Sequence, residues 1–362
     1  MKDLKGLRVV VAGAGAVGSV TALTLLRCGA DVVLADAASL GDNASGVAAG
    51  MLAPGFEALL DPVAHDHFPL LAVARNFWPD LAETLPSGAD LIDRAGALYV
   101  ASDDADLQRR AERMAAFDSA SEILTPMQAQ ALSPGLSVDR RALFSALDWR
   151  LEPLFALSAL RRAFDTEGGR VAGQAVTGWS VDRAQLSSGE TIGADVLVLA
   201  TGAAAFGAQR IAELGWLRPI KGQIIRFEGG APFGGPSVRA PGVYVAPSRM
   251  GPAVGASMQE RRSDLQIEPE IVDGLHSAAG ALFPGLVDAK FSARAGVRAA
   301  TPDGLPLVGF SADCPGVMLA LGARRNGWLL APAIADVVAA RLRALPGGAF
   351  EEAFDPVRFV NH

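Results

Sequence analysis

Apolar positions along this chain alternate between two patterns. Short unbroken apolar runs occupy residues 7–12 (LRVVVA), 31–36 (DVVLAD), 194–200 (ADVLVLA) and 316–321 (GVMLAL). That is the form expected of central strands buried on both faces. Longer stretches read as helices at 19–28, 63–85, 103–117, 152–164 and 328–345. Asp103 and Asp104 suit the positive N-terminal end of the third, and the glycines of 165–169 (DTEGG) stop the fourth. Further strands are expected at 97–101, 222–227, 242–247 and 291–299, and 170–181 pairs with 185–192 across a polar turn. Pro-Gly punctuation over 229–236 marks a hairpin or surface loop, and Thr201-Gly202-Ala203 turns into another helix. Alternating strands and helices predict an α/β chain. The buried strands come from its start, middle and end, so one domain is discontinuous, made of residues 1–86, 152–217 and 299–362. Residues 87–151 and 218–298 form a smaller α+β domain with an antiparallel sheet.

The first run leads straight into Gly13-Ala14-Gly15-Ala16-Val17-Gly18, then a helix, then the second run ending in Asp36. This is a βαβ unit with G-x-G-x-x-G in its required place, a Rossmann-like nucleotide fold. Gly13 makes the tight turn, Gly15 lets backbone approach a pyrophosphate, and Gly18 lets helix and strand pack closely. The helix N-terminus offers unpaired N–H groups to the phosphates. Asp36 stands where a carboxylate accepts from ribose hydroxyls and disfavours a 2′-phosphate. The fingerprint names a dinucleotide without saying which. The next segment, 41–54 (GDNASGVAAGMLAP), separates the choices. An NAD domain would continue into another amphipathic helix, whereas small residues let backbone lie flush against a large flat ring such as a flavin. FAD is favoured.

Length, charge and cysteines narrow the picture further. With 362 residues the chain can hold two cores. A net charge of −7 with no basic cluster argues against nucleic acid. A strand starting by residue 7 leaves no room for a signal peptide, and no apolar run nears the roughly 20 residues that span a bilayer. Cys28 and Cys314 lack motif spacing and read as reduced thiols. A cytoplasmic protein without membrane contact is expected. His65-Asp66-His67 has no converging third ligand and reads as a solvated loop or helix start, so no metal is expected. No Ser/His/Asp or Cys/His set stands out, which leaves the chemistry to the cofactor.

Several ordered motifs then carry a resemblance along nearly the whole chain. They are Ala44-Ser45 with 48–52 (AAGML), Glu152-Pro153, 220–223 (IKGQ), 243–247 (VYVAP) with 254–258 (VGASM), Gly296-Val297-Arg298 with 301–306 (TPDGLP), and Arg325-Asn326-Gly327 with 329–332 (LLAP). Together they resemble the D-amino-acid and sarcosine oxidase superfamily, most closely the glycine oxidases of thiamine biosynthesis. The resemblance implies non-covalent FAD, because neither cysteine matches the place where sarcosine-oxidase relatives attach flavin. It implies oxidative deamination of glycine or a small N-substituted glycine to glyoxylate, ammonia or an amine, and hydrogen peroxide. Arg298 is then the carboxylate anchor, suited by its planar fork, and Tyr244 donates to the same carboxylate. Arg325 is a second active-site arginine, and Gly50, Met51 and Met258 line the pocket. Ala44, Ser45, Ala48, Ala49, Gly50 and Met51 cover the cofactor. Val176, Thr201, Gly202, Arg325, Asn326, Gly327 and Trp328 also lie beside it, with the closing helix directing its positive end at the ring.

Departures from the family pattern bear on the substrate. Gly242 and Ala323 are smaller than usual, Trp328 replaces an aliphatic residue and Ala299 a proline. Small groups at 242 and 323 predict a widened pocket that favours an N-alkyl glycine. Charged or long polar D-amino acids should fare worse, because no extra cation or polar partner is evident nearby. The expected partners are a small amino acid and dioxygen, with homo-oligomers left open. The alternatives are an oxidase or dehydrogenase of another small D-amino acid or secondary amine, an NAD-dependent dehydrogenase, and a non-catalytic flavoprotein subunit.

Overall fold

The computed structural model describes residues 3–86, 88–117, 120–204, 206, 211–228 and 234–359. Six strands form one sheet in the order Leu307–Phe310, Val317–Leu321, Val196–Leu199, Arg8–Ala12, Asp31–Ala35 and Arg170–Ala172. All neighbours are parallel except Leu307–Phe310, which runs antiparallel to Val317–Leu321. Unbroken apolar runs form these strands because both faces are covered. Val9, Val11, Val32 and Leu34 pack against helices Ala16–Arg27, Pro153–Thr166 and Gly327–Leu342. Val10, Ala12, Val33, Leu197 and Leu199 face the opposite core, built on Trp179, Ala184 and Leu186.

The second sheet has nine strands, mostly antiparallel. Its path runs Gln259–Glu260, Arg218–Phe227, Ala253–Gly255, Val243–Ala246, Ser237–Ala240, Ala97–Val100, Ala142–Ser145 and Ser121–Leu124. Phe291–Ala300 pairs with Arg218–Phe227 along all ten residues. The expected boundary between 298 and 299 thus falls inside a continuous strand. The period of two sorts this sheet's faces. Val238, Val245, Val254 and Ile225 turn to a core shared with helix Pro269–Leu282. On the other face Tyr99, Arg239, Tyr244, Gly255 and Ile224 stand opposite one another in a single row.

Some expected elements are redrawn by tertiary pairing. Residues 170–181 are not one strand: Arg170–Ala172 completes the parallel sheet beside Asp31–Ala35, while Val176–Ser180 pairs with Arg183–Leu186. The 63–85 helix is divided into a 3-10 turn, Pro62–His67, and helices Phe68–Arg75 and Phe77–Glu83. After Thr201-Gly202-Ala203 the described residues hold only a 3-10 turn, Ala212–Trp216. Residues 229–233 of the expected hairpin lie outside the described residues. The small-residue segment 41–54 holds a single helical turn, Ala44–Val47, and the short strand Met51–Leu52, paired with Trp149–Leu151. Among the described residues no helix is long and apolar enough to cross a membrane.

Candidate active site

The C-terminal ends of the parallel strands meet the second sheet along two adjoining cavities. They share Ala44, Val47, Ala48, Gly296, Arg298, Arg325 and Trp328. The second, of about 430 Å³, lies at the nucleotide fingerprint. Gly13 adopts φ +103°, and a Cβ there would stand 2.4 Å from the Ala200 carbonyl oxygen, so only glycine fits this turn. A Cβ on Gly18 would stand 1.8 Å from the Gly13 oxygen. Asp36 accepts from the Ala14 N–H at 2.7 Å and fixes the turn to the end of its strand. Ser45 crosses from the small-residue segment to accept from the Ala16 N–H at 2.9 Å, and a Cβ on Gly15 would lie 3.0 Å from its hydroxyl. Trp328, at the start of the closing helix, donates to the Ser45 carbonyl at 3.0 Å. Segment, fingerprint helix and closing helix are therefore tied at one point. A narrow cradle that an added Cβ would fill, beside a helix N-terminus and an acid, fits the adenosine diphosphate half of FAD.

The first cavity, of about 560 Å³, is of ordinary size for a small-molecule site. It holds the face of the second sheet that carries Tyr244. Strand Phe291–Ala300 brings Arg298 over Gly222 so closely that a Cβ on Gly222 would lie 2.1 Å from Arg298 Nη1. Among the described residues Arg298 reaches only the Ser257 carbonyl, at 3.5 Å, and Met258 Sδ, at 3.7 Å. Among the described residues no carboxylate pairs with it. Tyr244 stands over Gly255, where a Cβ would lie 2.6 Å from the phenol oxygen. Burial pushes the Tyr244 hydroxyl up, opposed by Arg298, Arg325 and Arg239. The phenol therefore stays protonated and able to donate. Behind it Glu57, 5% exposed, takes Arg239 Nη1 at 2.9 Å and Arg325 Nε at 3.2 Å. Burial raises the Glu57 carboxyl, but Arg325 and Arg239 outweigh it and hold it below its ordinary value. Asp61 pairs with Arg324.

The structure distributes the expected site residues unevenly. Tyr244, Met258, Gly242, Ala49, Gly50 and Met51 line the first cavity alone. Gly13, Gly15, Ala16, Val17, Asp36, Ser45, Thr201, Gly202 and Gly327 line the second. Arg298, Ala44, Ala48, Arg325 and Trp328 line both. Ala14, Gly18, Val176 and Asn326 line neither. Ala14 and Gly18 shape the turn from behind, and Val176 is buried in the core with Trp179. Asn326 precedes the closing helix, its backbone turned back to Ala323. Ala323 corrects an expectation: its backbone bridges to Ala300, and it lines only the second cavity. Its small size therefore does not widen the first. Gly242, at φ +78°, has nothing within 4 Å of a would-be Cβ and does leave open space there.

A second correction concerns charge. Arg239 and Arg110 line the first cavity with Arg298 and Arg325, so further cations are present. Sequence reading missed Arg239 because its strand follows the Pro-Gly stretch, and its partner Glu57 lies 182 positions away. It also missed the role of Gly222 as the seat of Arg298, although the glycine sits in the quoted 220–223 motif.

Comparison with known proteins places the chain. Residues 8–341 match the family described as FAD dependent oxidoreductase. An oxidoreductase of Rhizobium etli, assigned by name to thiamine biosynthesis, is 33% identical, with 93% of this chain and 96% of that one covered. Glycine oxidase from Geobacillus kaustophilus superposes with a TM-score of 0.84 at 25% identity, over 97% of this chain and 99% of the other. Iminodiacetate oxidase from a Chelativorans species gives a TM-score of 0.84 at 26% identity, over 96% and 99%.

Proposed function

The chain belongs to the FAD dependent oxidoreductase family, and from that premise we propose that it oxidises glycine or a small N-substituted glycine at the α-carbon. Dioxygen and water are consumed, and glyoxylate, the amine or ammonia, and hydrogen peroxide are released. FAD, held without a covalent bond, supplies the acceptor for the α-hydride and the route of two electrons to dioxygen. The protein's own residues bind and orient. The carrying observation is the Arg298 guanidinium, held over Gly222 beside the Tyr244 hydroxyl with no carboxylate partner among the described residues. A substrate carboxylate completes that set: the planar fork binds two oxygens and the phenol donates to one.

No general base is needed in this reading. Glu57 is engaged by Arg239 and Arg325, and Asp106 by Tyr99 and Arg110. Neither is free to take a proton from an ammonium, so the amine enters neutral. Its lone pair then assists loss of the α-hydride, and water hydrolyses the released imine. Ala48, Ala49, Gly50 and Met51 wall the cavity with small or apolar groups, and Gly242 leaves room for a substituent.

Arg298→Ala tests the reading. Loss of a charge-assisted bidentate contact costs on the order of 3–5 kcal/mol, roughly a hundredfold or more in kcat/KM. Flavin absorbance should stay normal, and Arg298→Lys should rescue poorly because a point charge cannot reproduce the fork. Near-wild-type peroxide release from Arg298→Ala would move the anchor elsewhere, with Arg325 the next candidate.

A further inference from the structure

The first cavity holds more positive charge than a single carboxylate can use. Four arginines line it, Arg110, Arg239, Arg298 and Arg325, against two carboxylates, Glu57 and Asp106. Asp106 holds Arg110 at 3.2 Å. Glu57 is divided between Arg239 and Arg325. Arg325 also lies 3.8 Å from Asp61, and buried Asp148 acts on Arg239, so Arg298 is the arginine of the four left with no carboxylate beside it among the described residues.

Arg239 is the arginine whose unmet donors are informative. It is 3% exposed and stands directly opposite Tyr244 in register, on the face that carries the proposed carboxylate site. Nη1 is bound to Glu57, while Nε and Nη2 are buried without a hydrogen-bond partner. Buried guanidinium donors left unpaired are costly, because the group is desolvated with nothing in return. Glycine or sarcosine would occupy Arg298 and leave both donors unmet.

We propose that the preferred substrate carries a second carboxylate and that Arg239 reads it. The substrate class is an amino acid whose extra carboxylate is borne either on the amine, as in an N-carboxyalkyl glycine, or on the α-carbon. This rests on the amino-acid oxidase reading and narrows it. Arg298 takes the carboxylate next to the reacting carbon. Arg239 takes the distal one through Nε and Nη2, and Glu57 holds the guanidinium in place. The redox step is unchanged: the α-hydride leaves, the C=N bond forms, water cleaves it and dioxygen becomes hydrogen peroxide.

Purified holoenzyme is assayed by peroxide release with glycine, sarcosine, N-carboxymethylglycine, N-(2-carboxyethyl)glycine and both enantiomers of alanine and aspartate. Flavin absorbance changes report binding of acetate, malonate, succinate and glutarate without turnover. In wild type the best dicarboxylic substrate should exceed its monocarboxylic counterpart at least tenfold in kcat/KM, and at least one diacid should bind tenfold tighter than acetate. The N-substituted and aspartate arms tell which attachment is accepted. In Arg239→Gln the dicarboxylate-to-monocarboxylate ratio should fall toward one, and Arg239→Lys should restore part of it. Oxidation of glycine and sarcosine with no preference for a second carboxylate, in turnover and in binding, overturns this proposal alone. A preference that survives in Arg239→Gln overturns the role of Arg239. Failure to oxidise any of these amines overturns the oxidase reading and this proposal with it.

Discussion

Gly222→Ala isolates the seat of Arg298 from the stability of the fold. Gly222 lies in the interior of strand Arg218–Phe227, opposite Gly296, with ordinary strand backbone. Alanine adopts that backbone freely, and removing a glycine reduces the entropy of the unfolded chain by the equivalent of about 0.4–1 kcal/mol. The new methyl would meet Arg298 Nη1 at 2.1 Å, Nη2 at 2.4 Å and Cζ at 2.5 Å, where ordinary contact begins near 3.4 Å. The guanidinium is the far end of a flexible side chain, so it yields at little cost to folding, but it must move by about 1 Å or more. A misplacement of about 1 Å in a positioning group can cost about a hundredfold, equivalent to about 2.7 kcal/mol at the transition state. The thermal midpoint should therefore hold or rise slightly while kcat/KM for peroxide release falls roughly a hundredfold with normal flavin content. A variant within twofold of wild type in kcat/KM would refute the reasoning, because Arg298 would then act from a place the methyl does not disturb.

Two other outcomes follow from the same geometry. Gly15→Val should purify largely free of flavin, since its Cβ lies 3.0 Å from the Ser45 hydroxyl and its methyls would occupy the phosphate cradle; full occupancy in the absorbance spectrum would dismiss the assignment. Burial pushes the Asp148 carboxyl up to about 6, above its unfolded value of about 4. Its contribution to stability is thus fully present below about pH 4 and lost as pH rises through about 6. The denaturant midpoint of Asp148→Asn should gain on wild type across that window, and a difference independent of pH would rule the effect out.

What the sequence settled by itself is local. A glycine with forced φ, a strand buried on both faces and a helix stop are each specified within a few residues. Residues 7–36 therefore displayed the βαβ unit, and 41–54 the close-packed segment beside it. Arg298 was legible only through a motif resemblance, since nothing local distinguishes an anchoring arginine from a surface one. Tertiary structure decided what depends on register and on distant partners. Cross-strand pairing put Arg239 opposite Tyr244 and Gly222 beneath Arg298. A contact spanning 182 positions made Glu57 the holder of two arginines. A single bridge from Ala323 to Ala300 moved a small residue from the substrate end to the nucleotide end. Charge pairing in a cavity is a sum over groups brought together by the whole fold, so the chain's order alone does not reveal which of its arginines remains unpaired.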